Sequence, residues 1–367
     1  MSKYISFLLI LFSIRVVAQQ GIAIPQAKEP VTPSNFLKMG SNDCDSAAVY
    51  SKNKDTKGAD KFYHSAIKNF KKAIKETPEV FDPYYLIGLA QIKTEDYKDA
   101  IKNLTKAVTI DTSRGDAFRA RGIAQAGLGN TTEALADFDK ATSINYDDAE
   151  AAYQRGLLRG HDKDPDPAIG DYTHVIEVNP NFEMAYMNRG LIYFNVKKDF
   201  VLAFNDFNKV IELNPENNEA YLWRGKTQFN GGDFKSADKD LSRYIDMEPE
   251  NIDALITRGA SRININNNSG AVADFDVVIK LDPKNVVAYM NRGTAKGGMK
   301  KFKDALADLD MAAKLKFDYS PIYINRAAVK FASGDKKGAC NDLEKADGLN
   351  NEKAYKLIQQ YCKDGNR

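Results

Sequence analysis

The chain has 367 residues, 43% of them apolar and 28% charged, with a formal net charge of only +2. That apolar content excludes a wholly disordered chain, and a near-neutral balance without a long basic run offers no electrostatic footprint for nucleic acid. Three cysteines and three histidines leave little material for a metal centre or an activated nucleophile.

Lys3 gives a positive start, Tyr4 to Ile14 is an apolar run, and Val16-Val17-Ala18 ends it with small residues at the minus-three and minus-one places. This predicts a secretory signal peptide over 1–18, cut between Ala18 and Gln19. The run is too short to span a bilayer, Arg15 interrupts it, and no cysteine follows the cut to take a lipid. The mature chain is therefore expected to be exported, periplasmic or secreted, without a membrane span, where disulfides can form. Residues 19–45, with Pro25, Pro30 and Pro33, read as a disordered arm or linker. Over 46–80 a helical pattern starts weakly. Ala66, Phe70 and Ala73 predict a degenerate first hairpin that serves as the N-terminal cap of a helical array.

From there the chain repeats itself. A small residue recurs at Gly88, Gly122, Gly156, Gly190, Gly225, Gly259, Gly293 and Ala327, in steps of 34 apart from one step of 35. An alanine follows twelve residues later at Ala100, Ala134, Ala168, Ala237, Ala271, Ala305 and Ala339, and thirteen later at Ala203. The extra residue of the fourth copy is assigned to its inter-helix turn, near Val196 to Asp199. A two-helix unit of 34 residues with these small positions resembles the tetratricopeptide repeat (TPR) family, over about 320 residues. The resemblance implies an all-α fold, a right-handed α-solenoid (superhelix) of helix-turn-helix TPR units. Eight units would occupy 81–351, and a C-terminal capping helix and tail would occupy 352–367. Together with the leader, it points to an exported bacterial TPR protein.

Seven of the eight units place arginine just before the small residue, at Arg121, Arg155, Arg189, Arg224, Arg258, Arg292 and Arg326. The same seven carry aspartate three residues after the alanine, at Asp137, Asp171, Asp206, Asp240, Asp274, Asp308 and Asp342. The remaining unit has Ile87 and Asn103 instead, so the two residue types come and go together. This predicts a structural ladder in which each planar guanidinium is held by a carboxylate. A separate charged binding face is disfavoured, because buried arginine without a partner is costly.

Cys340 opens the second helix of the last unit and Cys362 ends the closing helix. If those helices run antiparallel the sulfurs meet, and a disulfide is expected in an oxidising compartment. Cys44 is left over as a free thiol or an intermolecular bridge. Asp162, Asp164 and Asp166 alternate like the start of a calcium loop, but Pro167 stands where such a loop needs glycine, so an acidic capping turn is expected and no metal. His64, His161 and His174 fall in unrelated places of the repeat. No catalytic set can be assembled, so no enzyme activity and no cofactor is expected.

In TPR proteins the first helices line a concave groove. Carried over by that pattern, the groove residues are Tyr85, Arg119, Tyr153, Met187, Leu222, Ile256, Met290 and Ile324, with Asn188, Trp223, Asn291 and Asn325 beside them. The set has no lysine, and Leu89, Leu191 and Thr294 follow the small residue, which argues against a clamp for carboxylate termini. Apolar pockets edged by amides suit a hydrophobic or amphipathic segment of a protein partner. The expected function is a non-catalytic protein-interaction scaffold or adaptor in the cell envelope. The alternative is a holdase-like chaperone for extended or unfolded exported clients.

Overall fold

A computed structural model describes residues 35–362. The expected signal peptide, residues 19–34 of the expected arm and the last five residues lie outside them. Among the described residues every regular element is helical. The chain divides into two compact units, Met1–Ala185 and Tyr186–Arg367.

The first unit contains α1 (Asn35–Lys52), α2 (Thr56–Glu76), α3 (Phe81–Lys93), α4 (Tyr97–Ile110), α5 (Gly115–Gly127), α6 (Thr131–Ile144), α7 (Ala149–Arg159), α8 (Asp166–Val178) and the start of α9 (Glu183–Ile192). The second holds the rest of α9, a π-helical turn (Tyr193–Lys197), α10 (Phe200–Leu213), α11 (Asn218–Asn230), α12 (Phe234–Met247), α13 (Ile252–Asn264) and α14 (Asn268–Leu281). It continues through α15 (Val286–Gly298), α16 (Phe302–Leu315), α17 (Ser320–Ala332), α18 (Lys336–Asp347) and α19 (Glu352–Tyr361). From α3 onward, odd-numbered helices are the first helices of hairpins and even-numbered ones the second, with α19 closing the series.

The hairpins turn where they do for a local reason. A residue with positive φ ends the first helix at Glu95, Gly129, Lys198, Gly232, Asn266, Lys300 and Gly334. In most turns an acid or amide comes next and caps the second helix: the side chains of Asp199, Asp233, Asn267 and Asp335 accept hydrogen bonds from the N–H groups of Leu202, Ser236, Gly270 and Gly338. Such caps satisfy donors that a helix start leaves open. The hairpin between α7 and α8 lacks the positive-φ residue and uses Pro165 ahead of α8, with Pro167 in its first turn.

Small residues then let the two helices of a hairpin cross closely. The recurring alanines from Ala100 to Ala339 are fully buried. A Cβ on Gly122 would stand 2.7 Å from Phe138, and one on Gly259 would stand 2.7 Å from Phe275. In an open helix, glycine to alanine stabilises by roughly 1 kcal/mol. At this crossing overpacking wins, and Gly259→Ala is expected to destabilise by about 1–3 kcal/mol. The urea midpoint checks it, and a raised midpoint would mean that Phe275 swings aside freely.

Two expectations change. The arm does not extend to residue 45: residues 35–45 belong to α1, and Gly40, Cys44 and Ala47 bury one stripe of it. Gly40 crosses Phe70 at a separation of 30 residues, whereas Gly88 crosses Leu104 at 16. Each arm of this first hairpin is therefore about two turns longer, which a search at fixed period misses. The extra residue of the fourth repeat is not in the turn either. Lys198 and Asp199 keep the usual turn, and the insertion is absorbed just before it as the π-helical segment Tyr193–Lys197. The Asp199 cap of α10 is thereby kept, and the extra residue is taken up as a single wider turn of helix.

Candidate functional site

The ladder arginines lie between two helices and a ring. Arg121 Nε and Nη2 donate to Asp137 at 2.8 and 2.7 Å, and Arg224 Nε and Nη2 donate to Asp240 at 2.7 and 2.9 Å. Arg189, Arg258, Arg292 and Arg326 hold Asp206, Asp274, Asp308 and Asp342 by the same two-point fork. Arg155 aims both nitrogens at one oxygen of Asp171. The aspartate side chains are 3–8% exposed, so each is a buried carboxylate whose charge must be met locally.

Three further features of the ladder are not foreseen from the sequence. The third nitrogen, Nη1, reaches the second helix of the preceding hairpin, at Thr105, Asp139, Asn208, Ser242, Asp276 or Asp310. Each lies five residues after an alanine of the repeat, so an acceptor at that fixed offset was the available signal. Five guanidinium groups also lie over an aromatic ring three residues earlier in their own helix: Phe118, Tyr186, Tyr221, Tyr289 and Tyr323, at 5.3–5.8 Å. Such cation–π contact suits a flat, weakly hydrated cation. Finally, a second cation four residues after the arginine joins four of the aspartates. Arg159, Arg262, Lys296 and Lys330 reach Asp171, Asp274, Asp308 and Asp342 at 2.7–3.0 Å.

Charge follows these contacts. Hydrogen bonds to Asp308 and Asp342 hold the Arg292 and Arg326 guanidinium groups above their ordinary pKa. Asp206 goes the other way: burial raises its carboxyl, and Arg189 offsets this only in part. The place of a second cation is there taken by Tyr193.

The expected groove residues divide into two groups. Tyr153 is fully buried, with its ring 4.9 Å from Phe182 and 6.0 Å from Tyr172, and Tyr85, Met187, Leu222 and Met290 are also buried. They are not open surface. First helices of successive hairpins within a unit pack on each other, α3 on α5, α5 on α7, α11 on α13, α13 on α15 and α15 on α17. The residue three before the small position is covered in five of the eight repeats. Arg119, Asn188, Trp223, Ile256, Asn291, Ile324 and Asn325 stay half-buried.

The two units differ in what this face carries. In the first, Arg119 Nη1 donates to Asp148 Oδ1 at 2.6 Å, and Gln154 donates to Glu150. Burial pulls the nearby Lys93 ammonium down to about 8, partly countered by Glu150, whose carboxyl burial pushes up. In the second unit, Phe194 meets the Trp223 ring edge-on at 5.4 Å, and Lys226 lies 4.5 Å over that ring while pairing with Asp253. Asn325 donates to Thr294 Oγ1 at 3.2 Å. The face is thus charged in one unit, and apolar with amides in the other.

Cys340 and Cys362 form a disulfide, S–S 2.07 Å. Cys44 is free but buried, and burial, with Asp45 and Asp43 adding to it, pushes its thiol up to about 12, so an intermolecular bridge is closed to it. Asp162, Asp164 and Asp166 lie on an exposed turn where Asp164 accepts from the Asp166 N–H at 3.0 Å. No group of three or more His, Cys, Asp or Glu side chains suited to a metal occurs among the described residues. None of the helices searched there is long and apolar enough to cross a membrane.

The tetratricopeptide repeat family matches the chain at residues 81–114 and again at 219–251. No curated protein matches it in sequence. Among solved structures, the C-terminal part of a TPR repeat-containing protein from Cytophaga hutchinsonii superposes with a TM-score of 0.52 at 21% identity, over 67% of this chain and 97% of that one. YrrB, described as a TPR protein with an unusual peptide-binding site, gives 0.46 at 24% identity over 51% and 95%. Yeast Tom70 gives 0.37 at 16% identity over 89% and 97%. The Cytophaga similarity bears on the fold alone.

Proposed function

Because this chain is a tetratricopeptide-repeat protein, and so built as a protein-interaction scaffold, we propose that it is an exported, non-catalytic adaptor of the cell envelope. In this reading it holds a hydrophobic or amphipathic partner segment against the first helices of its second unit. The observation that carries the reading is the set of half-buried Trp223, Ile256 and Ile324 with the amides of Asn188, Asn291 and Asn325, on α9, α11, α13, α15 and α17. Apolar side chains left at a surface and edged by amides match a partner's apolar stripe while pairing its polar backbone. Export is supported by the leader pattern of residues 1–18.

The test crosslinks the chain from Gln19 in the envelope fraction of its own cells and identifies what is captured. A second bait carries Trp223→Ser, Ile256→Ser and Ile324→Ser, which leave the buried Leu222 and Met290 untouched. One stoichiometric partner, weakened about tenfold or more by the triple change, is the expected result, since buried anchors of this kind dominate binding. Many unrelated clients lost together would instead point to a holdase. An undiminished catch would remove the first-helix face from the mechanism.

A further inference from the structure

The second helices carry a site that the adaptor reading does not use. A cavity of about 420 Å³ opens between α6 and α8 in the first unit, lined by Asp139, Tyr146, Arg155, Gly170, Asp171 and His174 among others. That volume falls in the range of small-molecule sites. This hairpin differs from several sister repeats at three positions that line the cavity. Gly170 stands in the middle of α8, and a Cβ there would meet nothing within 4 Å. Tyr146 takes the place where Pro180, Pro215, Pro249 and Pro283 close other repeats. His174 takes a place held by Lys106, Lys140, Lys209, Arg243 and Lys345 elsewhere.

The chemistry of the wall narrows the ligand. Arg155 in the wall and Arg159 behind it are both engaged by Asp139 and Asp171, so the charges here are already paired with one another and no free cation is offered to an anion. Hydrogen-bonding capacity remains. Asp139 Oδ1 receives the two arginines while its side chain is 53% exposed, leaving Oδ2 facing solvent. His174 Nε2 lies 2.7 Å from the Tyr146 carbonyl oxygen and so donates to it. In the neutral imidazole this makes Nδ1 an acceptor, and Nδ1 is shielded from solvent without a partner. The Tyr146 ring rests on the imidazole at 4.2 Å and is itself 69% exposed. An open carboxylate acceptor beside an exposed aromatic face, with the local charges already paired, matches a ligand that donates a hydroxyl group and lays C–H bonds on a ring.

We propose that this cavity binds a neutral saccharide, its ring stacked on Tyr146, which His174 holds in place, and a hydroxyl donated to Asp139. The site is independent of the first-helix face, so either reading can fail alone. The full chain from Gln19 is screened on an array of neutral oligosaccharides, and the best probe is titrated by calorimetry with inorganic phosphate as competitor. Gly170→Leu fills the cavity from open space and should keep the helix, because leucine is the better helix former. Tyr146→Ala removes the platform. Both are expected to fold as the parent does by circular dichroism and to bind the probe at least about tenfold more weakly, the equivalent of roughly 1.4 kcal/mol. The proposal is overturned if no neutral oligosaccharide binds, if Gly170→Leu binds undiminished, or if phosphate displaces the probe and binds alone.

Discussion

Asp274→Ala is expected to cost about 3–5 kcal/mol, because it strands the largely buried Arg258 rather than merely deleting a contact. Asp274 is 3% exposed and receives Arg258 from one side and Arg262 from the other, with Arg258 12% and Arg262 17% exposed. Arg262 would keep Asp238, but Arg258 would keep only Ser242, where water reaches it poorly. Asp240, which takes Arg224 alone, should lie at the lower end of that range. Asp206→Asn should be the mildest of the three. Burial already raises the Asp206 carboxyl above an unfolded aspartate, so ionising it is a cost that the fold bears rather than a gain. The sign is that of a raised acid: stability from this group falls as pH rises through the unfolded and then the folded pKa. Repeat arrays can unfold in pieces, so amide exchange in α13 and α14 should accompany the urea midpoint. A loss below about 1 kcal/mol at Asp274 would place the ladder energetically at the surface.

Reduction of Cys340–Cys362, or Cys362→Ser, should release α19 and cost about 3 kcal/mol. The loop it closes has a sequence separation of 22, and constraint of the unfolded chain gives that magnitude at this length. Its other contacts are few: the Tyr361 ring lies 5.7 Å from Phe331, and Asn351 at its cap donates to Ser320. Ala354 alone is buried, while Leu357 and Ile358 pack only partly, against Phe331 and the Ala327, Ala339 and Leu343 cluster. A helix of 10 residues is marginal unless docked. Fast amide exchange over α19 in reductant, with α13 still protected, is the expected pattern. Protection of α19 that survives reduction would show that the apolar contacts suffice. Cys44 should not compete for either sulfur, since its buried thiol ionises only near pH 12.

Much of this fold is legible in residue spacing because a repeat array reports its contacts many times. Gly259 with Phe275 and Arg258 with Asp274 each recur at a fixed offset, so their joint appearance exposes a contact that a single copy would hide. The same logic extends to the aromatic three residues before five of the arginines and to the acceptor on the preceding hairpin, although neither is among the expectations drawn from the sequence. Burial of the first-helix face was less legible. Tyr153 and Ile256 occupy the same place in the repeat, yet one is fully buried and the other half-buried. What decides this is the size and course of the neighbouring first helix, and no offset within one repeat contains it.

By itself the sequence determined the helical class, the 34-residue unit, the glycine crossings, the pairing of arginine with aspartate and the cysteine pair. These rest on local periodicity or on contacts of constant separation, and each is written into the order of residues. Only the tertiary structure decided that α1 begins at Asn35, that the fourth hairpin absorbs its extra residue as a π turn, and that Tyr85, Tyr153, Met187, Leu222 and Met290 face inward. It also decided that Gly170, Tyr146 and His174 surround a cavity. The first two depart from the repeat's fixed period, which a search at that period cannot see. The last two depend on how much space is left once neighbouring helices have stacked, and close packing turns small differences in side-chain size into buried or open surface.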